Sequence, residues 1–409
     1  MGGWDELEKF EQESVKLTFA TFLSKEEFEE EFVKPIQEQF PYIQLAYVRA
    51  VSRGLPDTSE VYASDIRHFA LGGAYSRIGY QMEPSFSAYD LQGRIDSSPL
   101  EDSIDNVLWS QVKAIGESGQ ITALPYSEVL SGLYFDKALF DQFHLSYPYN
   151  GMTWSEILDV MRTLPPNDAK NNMGLLTSLL WIDMANQLNI PFVKHEEDNT
   201  EDAKSKWSPI VSWFSDAAPI MRQWSGDKLF IIPSSINLSA SIPNRHYIGV
   251  GFLQGGDSDG LNNRNEVNLD VVSFPVFGQL PTAGPKWVDE GIQIHVDSEH
   301  KEDAWKVISL LLSRDHQLRN SKMGIVPVLS DMSLLTEFAD ELPELTEKNV
   351  HNYFYNQYPS YTEGQIMDQR TVDTFQSTVS SALSELSKGL IDKETALTQI
   401  VGAYQVFIR

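Results

Sequence analysis

Aromatic rings close to carboxylates are the side chains of this sequence whose types and spacing could do chemistry. The chain has 9 Trp, 16 Tyr and 21 Phe, and several of them fall in segments predicted to be loops. Trp181 is followed by Asp183, and Trp287 by Glu290. A sugar ring stacks its C–H face on an aromatic plane while its hydroxyls bond to carboxylates and amides. The pattern therefore indicates a carbohydrate site, although any one tryptophan taken alone is more simply a core residue.

No catalytic signature accompanies these side chains. The sequence contains no G-x-S-x-G, no H-E-x-x-H, no Walker loop and no G-x-G-x-x-G after a strand. Segment 255–266 offers oxygen ligands for calcium. However, Gly260 falls two positions too early for the glycine of an EF-hand loop, so we prefer a solvated loop to a calcium site. The chain has 58 acidic residues, which makes some carboxylate pair inevitable and uninformative. We therefore predict no cofactor and no metal.

Composition and charge exclude other classes of function. A chain of 409 residues with 42% hydrophobic and 22% charged residues is typical of a folded globular protein with two or three domains. Its formal net charge of −27 repels phosphate backbones and anionic headgroups, which argues against nucleic-acid binding and peripheral membrane binding. The chain has no cysteine, which excludes disulfides, thiolate metal sites and a cysteine nucleophile. Exported proteins often avoid cysteine, so this absence favours a location outside the cytoplasm.

The amino terminus contains no targeting signal as written. Residues 1–8 are acidic and lack the positive and apolar regions of an export signal. No apolar run approaches the about 18 residues that a membrane span needs. We interpret the Met-Gly-Gly start as a replacement for a removed export signal.

The elements that must position the candidate residues begin with a β-α-β unit. Residues 15–21 alternate as a half-buried strand, and Ser24 with Glu27 forms a capping box for the next helix. The apolar stripe of that helix consists of Phe28, Phe32, Ile36 and Phe40. Residues 43–48 alternate again, so a parallel sheet with a right-handed crossover is expected.

The next predicted strand, over 60–65, ends at Asp65. Ligands collect at the carboxyl ends of strands in open α/β sheets, so Asp65 is a candidate ligand contact. A helix over 99–115 and two strands, 120–126 and 132–137, are predicted to follow.

The second half of the sequence is predicted to contain more helix. A capping box of Thr153 and Glu156 begins a helix on whose inner face Trp154 lies, and Trp305 lies likewise on the inner face of a helix capped by Ser298. These two tryptophans are assigned to the core. The remaining predictions are a solvated acidic loop over 195–202, strands over 269–276 and 291–296 with a loop over 277–284, and mainly helix from residue 332 onward.

Five segments in order resemble the family 1 extracellular solute-binding proteins, the substrate-capturing lipoproteins of bacterial ABC importers for carbohydrates. The segments are 119–126, 132–141, 152–157, 298–307 and the G-x-x-P turn at 324–328. No single motif is diagnostic, but their order spans essentially the whole chain. The resemblance departs from the family at 283–287, where a Gly-rich stretch is usual and where Trp287 could replace it as a stacking platform.

The resemblance implies an α/β, two-lobed periplasmic-binding-protein-like fold with a hinge and an interlobe ligand cleft. By similarity, the N-lobe would comprise 1–124 and 275–325, and the C-lobe 125–274 and 326–409. The lipid-anchor cysteine of the family would lie upstream of this sequence, so the membrane is expected as a partner only through that anchor.

The leading hypothesis is an extracellular, cell-surface protein without catalytic activity. As a monomer it would capture an oligosaccharide or another sugar and deliver it to the permease subunits of an ABC importer, with no nucleic-acid partner. The expected ligand contacts are two stacking platforms, three acceptors and three polar or edge contacts: Trp181 and Trp287; Asp65, Asp183 and Glu290; Arg67, Tyr126 and Tyr355. Two alternatives stay open, a glycan-active enzyme such as a glycosidase or lyase, and a ligand-loaded partner of a membrane sensor.

The charge of the ligand is also left open by the sequence. Neutral and acidic sugars would be distinguished by whether Arg67, Arg77 or Lys286 points into the cleft. An anionic ligand would require a locally basic cleft against the field of a chain whose net charge is −27.

Overall fold

The computed structural model describes most of the chain. The described residues are 13–50, 59–70, 87–115, 120–163, 172–177, 180–192, 200–225, 245–253, 269–342, 348–358 and 369–408. The oxygen-rich segment 255–266, Arg77 and most of the acidic run at 195–202 lie outside these residues. Thr200 to Asp202 of that run, predicted as loop, begin a long helix.

Eight strands form one mixed sheet within the described residues. The strands are β1 (Val15–Thr21), β2 (Ile43–Arg49), β3 (Ile66–Ala70), β4 (Leu124–Asp136), β5 (Asn172–Thr177), β6 (Arg245–Leu253), β7 (Leu269–Ser273) and β8 (Lys286–Ile294). Their order is β2-β1-β3-β8-β4-β6-β5, and β7 pairs with β4 beside that path.

Helices cover the sheet and form most of the carboxyl-terminal part. In the first part of the chain they are α1 (Lys25–Phe28), α2 (Lys34–Gln39), α3 (Ser59–Tyr62), α4 (Gln92–Ile95), α5 (Leu100–Ser103), α6 (Asn106–Ile115), α7 (Lys137–Gln142) and α8 (Trp154–Thr163). They continue with α9 (Leu180–Gln187), α10 (Thr200–Ser225), α11 (Lys301–Leu311), α12 (Arg314–Lys322), α13 (Gln369–Lys388) and α14 (Lys393–Phe407). Two 3₁₀ helices span Met332–Leu335 and Val350–Phe354. No helix among the described residues is long and apolar enough to cross a membrane.

The predicted β-α-β unit is confirmed. The backbone of Glu27 donates to the Ser24 hydroxyl and the backbone of Ser24 donates to the Glu27 carboxylate, which closes the capping box. One helical run follows, with a π-helical turn at Glu29–Val33 between α1 and α2, and it buries Phe28, Phe32 and Ile36. β1 and β2 are parallel, and Val15 lies opposite Ile43.

The strand predicted over 60–65 is wrong. Residues Ser59–Tyr62 form helix α3, held by helical bonds such as that from the Ala63 N–H to the Ser59 carbonyl. β3 begins only at Ile66, so Asp65 precedes the strand that it was predicted to end. The alternation of Val61 and Ala63 with polar residues resembles a strand over so short a length, and the local helical hydrogen bonds decide the outcome.

Further boundaries differ from prediction. The helix predicted to be capped by Ser298 begins at Lys301 with His300 at its N-cap. The helix over 99–115 is interrupted at Ile104, which is extended and pairs with Leu329, and Asp105 then caps α6. The two strands over 120–137 are one strand, β4, because Ser127, Glu128 and Ser131 are buried rather than exposed in a loop. β8 starts at Lys286 instead of Gly291, which places Trp287 and Glu290 in a strand rather than a loop.

Two large apolar cores lie at opposite ends of the sheet. The first is built from residues of 17–126 and 288–328, including Phe19, Phe32 and Ile292. The second is built from residues of 133–220, 272–277 and 372–408, including Trp154 and Trp207. Trp154 is buried as predicted, and Trp305 packs partly buried against the first core. The lobe bounds given above stay a prediction.

Candidate functional site

The strand directions show that the carboxyl ends of two sets of strands face each other. β1, β2 and β3 are mutually parallel, and β4 runs in the same direction because β8 is antiparallel to both β3 and β4. β5 and β6 run the opposite way, since β6 is antiparallel to β4. The carboxyl ends of β1 to β3 therefore point toward the carboxyl ends of β5 and β6. In α/β sheets, ligands bind outside such ends.

The pairing register identifies the residues between the two sets of ends. Ala70, the last residue of β3, lies opposite Glu290 of β8. Leu253, the last residue of β6, lies opposite Leu130 of β4. The crossover segment, which we define as 127–130 of β4 with 286–290 of β8, thus joins the two halves of the sheet and borders the space between them.

Glu290 places a carboxylate in the crossover segment. Its Oε2 accepts a hydrogen bond from the Ser127 hydroxyl at 2.8 Å and lies 3.5 Å from Nε2 of His68. His68 is fully buried, and its Nδ1 lies 3.0 Å from the Thr21 hydroxyl. Burial alone would raise the pKa of Glu290, but His68 and Ser127 together lower it below its usual value. Glu290 is therefore ionised, and 18% of its side chain remains exposed to accept a hydrogen bond.

A deeper pair of side chains supports His68. The ring of Tyr126 meets the His68 ring edge-on at 5.1 Å between centroids. The Tyr126 hydroxyl donates to Glu31 at 2.7 Å and accepts from the Asn320 amide at 2.9 Å. Burial, with the negative charge of Glu290, raises the pKa of Glu31 to about 7, and burial also raises the pKa of Tyr126. Glu31, His68, Tyr126, Ser127 and Glu290 form one connected set, which we call the Glu290 cluster.

An ion network lies in the crossover segment itself. The Lys286 ammonium lies 3.0 Å from Glu128 and 3.2 Å from Asp105, with 7% of the lysine side chain exposed. It also lies 4.4 Å from the ring centroid of Tyr358, within reach of a cation–π contact. Burial raises the pKa of Glu128 to about 7 even though Lys286 opposes the shift. The charge of Lys286 is used inside the protein, so this lysine does not make the site basic.

Solved structures resemble the whole of this architecture. A sugar transporter from Rhizobium etli in an open conformation is 13% identical, with 96% of this chain and 99% of that chain covered at a TM-score of 0.67. A cyclic α-maltosyl-1,6-maltose binding protein from Arthrobacter globiformis is 14% identical, with 97% and 99% covered at 0.66. A family 1 extracellular solute-binding protein from Bifidobacterium longum subsp. infantis is 15% identical, with 97% and 100% covered at 0.62.

The chain has the two-lobed periplasmic-binding-protein-like fold. The fold predicted from the sequence is thereby confirmed. No family model and no curated protein matches the sequence.

Two of the predicted ligand residues lie together in the Glu290 cluster. Glu290 and Tyr126 both contact His68, and Tyr126 is fully buried. The contact between Tyr126 and Glu290 runs through His68, and the role of Tyr126 toward a ligand stays a prediction.

Asp65 and Arg67 lie at the other end of β3. The Asp65 carboxylate accepts hydrogen bonds from the Thr18 N–H, the Thr18 hydroxyl and the Ser298 hydroxyl at 2.6–2.9 Å. Burial would raise the pKa of Asp65, but these bonds lower it. The Arg67 guanidinium lies 5.9 Å from the Tyr62 ring and 5.8 Å from the Phe69 ring. Asp65 thus connects β1, β3 and the segment before α11 by hydrogen bonds. It precedes the first residue of β3, so its predicted position at the carboxyl end of a strand is wrong.

Trp181 and Asp183 lie in α9 and are buried in the second core. The Trp181 ring is 2% exposed and lies 6.0 Å from both the Trp207 and Phe375 rings. Asp183 is fully buried. Neither side chain presents a surface to a ligand in this arrangement, so neither is included in the site proposed below.

Trp287 shares the crossover segment with Glu290, whereas Tyr355 lies in a different segment of the chain. Trp287 lies in the crossover segment opposite Val129, and its side chain is outside what the structure describes. Tyr355 follows the 3₁₀ helix at Val350–Phe354 and is 49% exposed. Its hydroxyl lies against Gly151, where an added Cβ would come within 3.1 Å of it.

Sequence reasoning missed His68, Glu31, Ser127 and Glu128. His68 was one of eight histidines without ligand spacing, and its role depends on contacts with residues far away in sequence. Glu31 falls among acidic residues on a helix whose apolar stripe predicts only packing. A signal was present in β4, where Ser127 and Glu128 interrupt an apolar run. Within the described residues, no group of three or more His, Cys, Asp or Glu side chains could hold a metal ion.

Proposed function

We propose that this protein captures a carbohydrate, in the first instance an oligosaccharide, in its interlobe cleft and delivers it to an ABC importer. The observation that supports this most directly is an ionised, partly exposed Glu290 on the crossover segment, where the carboxyl ends of two sets of strands face each other. A carboxylate held by neighbouring donors is suited to accept sugar hydroxyl hydrogen bonds.

The similar solved structures support the ligand class. By their printed names, one is a sugar transporter protein and another binds cyclic α-maltosyl-1,6-maltose. The net charge of −27, and the internal pairing of Lys286, favour a neutral sugar over an acidic one. We include in the proposal a location outside the cytoplasm, delivery to permease subunits, a monomeric state and a lipid anchor upstream of this sequence.

Within the proposed lobes, Glu290 would be a ligand acceptor and Trp287 a stacking platform on the same strand. Tyr126, His68 and Ser127 would position Glu290. The N-lobe would comprise 1–124 and 275–325, with the remainder in the C-lobe. Asp65 and Arg67 would stabilise the N-lobe away from the cleft, as their contacts with Thr18, Ser298 and Tyr62 favour.

Isothermal titration calorimetry against neutral di- to hexasaccharides tests the proposal. The wild type should bind at least one sugar, and chromatography of the mixture should recover that sugar intact. Glu290→Gln should bind at least about 10-fold more weakly, because a hydrogen bond to a charged acceptor contributes about 1.5–3 kcal/mol.

Glu302→Gln is the matched control, since Glu302 is an exposed carboxylate that pairs with Arg94 far from the crossover segment. It should bind like the wild type. Equal weakening in both variants, or no binding by the wild type, would remove the proposal. Shorter products in the mixture would replace capture with glycan cleavage.

A further inference from the structure

A second pocket lies in the C-lobe, at the end of the sheet away from the cleft. It has a volume of about 350 Å³, and its lining includes Phe135 of β4 and Asp270 of β7. Phe135 lies five residues beyond Leu130 along β4, which at ~3.3 Å per residue is roughly 15 Å from the crossover segment. The pocket is therefore separate from the interlobe cleft.

Two exposed tyrosines form one wall of this pocket. Tyr147 is 42% exposed and Tyr149 is 52% exposed, values that are high for large rings with an apolar face. The Tyr147 hydroxyl donates to Asp141 at 2.6 Å, and the Tyr149 hydroxyl donates to Glu156. Each ring is thus held at its outer end, and the Tyr147 ring also lies 5.6 Å from the Phe135 ring and 6.2 Å from the Phe140 ring, centroid to centroid.

The loop that presents these rings is fixed to the sheet. The Asn150 side-chain carbonyl accepts from the Ser273 N–H at 2.9 Å, and the Gly151 N–H donates to the Ser273 hydroxyl at 2.9 Å. Gly151 has a φ of +79°, a conformation that favours glycine, and the Tyr355 hydroxyl packs against it. A third exposed tyrosine therefore borders the loop, and the wall is formed before any ligand binds.

The floor of the pocket is polar and has no net charge. The buried Asp270 carboxylate pairs with the Lys137 ammonium at 2.6 Å and accepts from the backbone and side-chain amides of Asn349 at 3.0 and 2.7 Å. Burial would raise the pKa of Asp270, but Lys137 and Asn349 lower it, so the two charges cancel. Asn150 donates to Asn352 at 2.7 Å. Each side-chain amide has two N–H groups and Lys137 has three, and the bonds described here use one on each donor.

We infer that this pocket is a second binding site for a neutral saccharide of two or three rings. Ring faces on a rigid loop, beside amide and ammonium donors without net charge, match the apolar face and the hydroxyls of a sugar. Charge also selects the class, because an anion would meet the field of a chain at −27 and a cation would find its carboxylate already paired. The volume lies at the small end of ligand pockets, which start at about 300 Å³, so a long oligosaccharide would extend into solvent. This site goes beyond the capture function proposed for the cleft and does not depend on it.

The experiment uses the full chain and neutral disaccharides and trisaccharides of glucose and mannose as probes. Calorimetry and saturation-transfer NMR are recorded on four proteins: wild type, Glu290→Gln, Tyr147→Ala with Tyr149→Ala, and Tyr147→Phe with Tyr149→Phe. We expect one probe to bind the wild type with a weak, millimolar component. The alanine pair should weaken that component at least 10-fold, whereas the phenylalanine pair, which keeps both rings, should stay within about 3-fold of the wild type.

The outcomes separate this site from the cleft. Loss of a tight component only in Glu290→Gln, together with loss of the weak one only in the alanine pair, supports both sites. If the weak component survives the alanine pair, or if no probe binds weakly, the second site is overturned, whatever happens in the cleft. If only the weak component exists and Glu290→Gln leaves it intact, the cleft proposal fails and this one stands. Should the alanine pair melt early, electron density for the probe against Tyr149 in a soaked wild-type crystal decides, and an empty pocket overturns the inference.

Discussion

The two apolar cores at the ends of the sheet differ in the side chains that they enclose. The first core encloses polar and ionisable side chains, among them His68, Gln293, His316 and Asn320, each 5% exposed or less. The second core also buries Asp183 and Gln187, but tryptophans make up much of it, and Trp154, Trp181, Trp207 and Trp213 all belong to it. Both ends border the same crossover segment, so their difference shows how each half contributes to the cleft.

Hydrogen-bond geometry determines orientation more sharply than apolar packing does. A buried polar group must find its partner within narrow limits of distance and angle, whereas an apolar core tolerates substitutions that preserve volume. In the first half a continuous chain of contacts leads from Asn320 through Tyr126 and His68 to Glu290. We therefore expect the first half to determine ligand geometry and the second half to supply stability.

The largest expected effect on this comparison comes from the aromatic core. Trp207→Ala should lower the free energy of unfolding by about 4 kcal/mol, because it empties a fully buried site between Trp181, Phe375 and Tyr404. Urea unfolding followed by circular dichroism measures it. Sugar affinity of the folded protein should not change.

Trp207→Phe is the control for that variant. It keeps an aromatic ring and removes a buried indole N–H for which no described residue provides an acceptor. It should cost less than half as much as the alanine variant. An equal cost, or a change in sugar affinity in either variant, would contradict the division of roles between the two halves.

The ion network between the two halves should give the next largest effect. Lys286→Met leaves Glu128 and Asp105 without their cation and should cost about 3 kcal/mol at pH 8, where Glu128 is ionised. Near pH 5 the cost should be smaller, since Glu128 can then bind a proton. Urea unfolding at both pH values tests this.

A double variant controls for the loss of packing. Glu128→Gln combined with Lys286→Met removes both charges of the 3.0 Å pair and should recover part of the loss at pH 8. If the single variant costs the same at both pH values and the double variant recovers nothing, the effect is one of packing alone.

Local patterns in the sequence were sufficient for the elements that depend on near neighbours. The Ser24–Glu27 capping box, the stripe through Phe28, Phe32 and Ile36, and the parallel pair β1 and β2 are set within a span of 35 residues, from Val15 to Arg49. The resemblance across the whole chain then supplied the two-lobed fold, which no single element could.

The site required contacts that local patterns do not contain. Trp181 and Glu290 both look like ligand residues by type, but the second core is built of tryptophans, and only tertiary packing reveals that Trp181 is one of them. Asp65 was assigned to the wrong end of β3 because, over six residues, a one-turn helix can show the same alternation of apolar and polar residues as a short strand. His68 has its role through Thr21, Tyr126 and Glu290, which are far apart in sequence.

Stability should also fall as the pH rises from about 5 to 7. Glu31 and Glu128 have pKa values of about 7 in the folded protein, against about 4.3 in an unfolded chain, so between these values the folded state holds more protons. Each carboxyl alone accounts for a loss of about 2 kcal/mol between pH 5 and 7. His316 acts in the opposite direction, because burial lowers its pKa to about 4 and its contribution to stability grows as the pH rises to about 6.5. The net loss should therefore be on the order of 2 kcal/mol and should level off above pH 8. Carboxylates with lowered pKa, such as Asp270, act in the opposite direction and only below about pH 4. Chemical unfolding across pH 4–9 should therefore show maximal stability near pH 5.

Glu31→Gln should flatten part of that slope, because glutamine does not titrate. Glu29→Gln, an exposed position two residues earlier in the same helical run, should leave the slope unchanged. A slope of the opposite sign in the wild type, or equal slopes in both variants, would contradict the raised pKa of Glu31 in the folded protein.

The smallest expected effect tests whether the contacts that lead from Asn320 through Tyr126 to Glu290 act as one unit. Tyr126→Phe removes the hydroxyl that donates to Glu31 and accepts from Asn320, and it should cost about 1 kcal/mol of unfolding free energy. Because that hydroxyl lowers the pKa of Glu31, its loss should also move the midpoint of the stability slope to higher pH. Tyr149→Phe, which removes an exposed hydroxyl, should change stability by less than about 0.5 kcal/mol and leave the midpoint in place. If Tyr126→Phe lowers stability without moving the midpoint, the hydroxyl contributes only its own hydrogen bonds, and the first half owes the orientation of Glu290 to His68 and Ser127 alone.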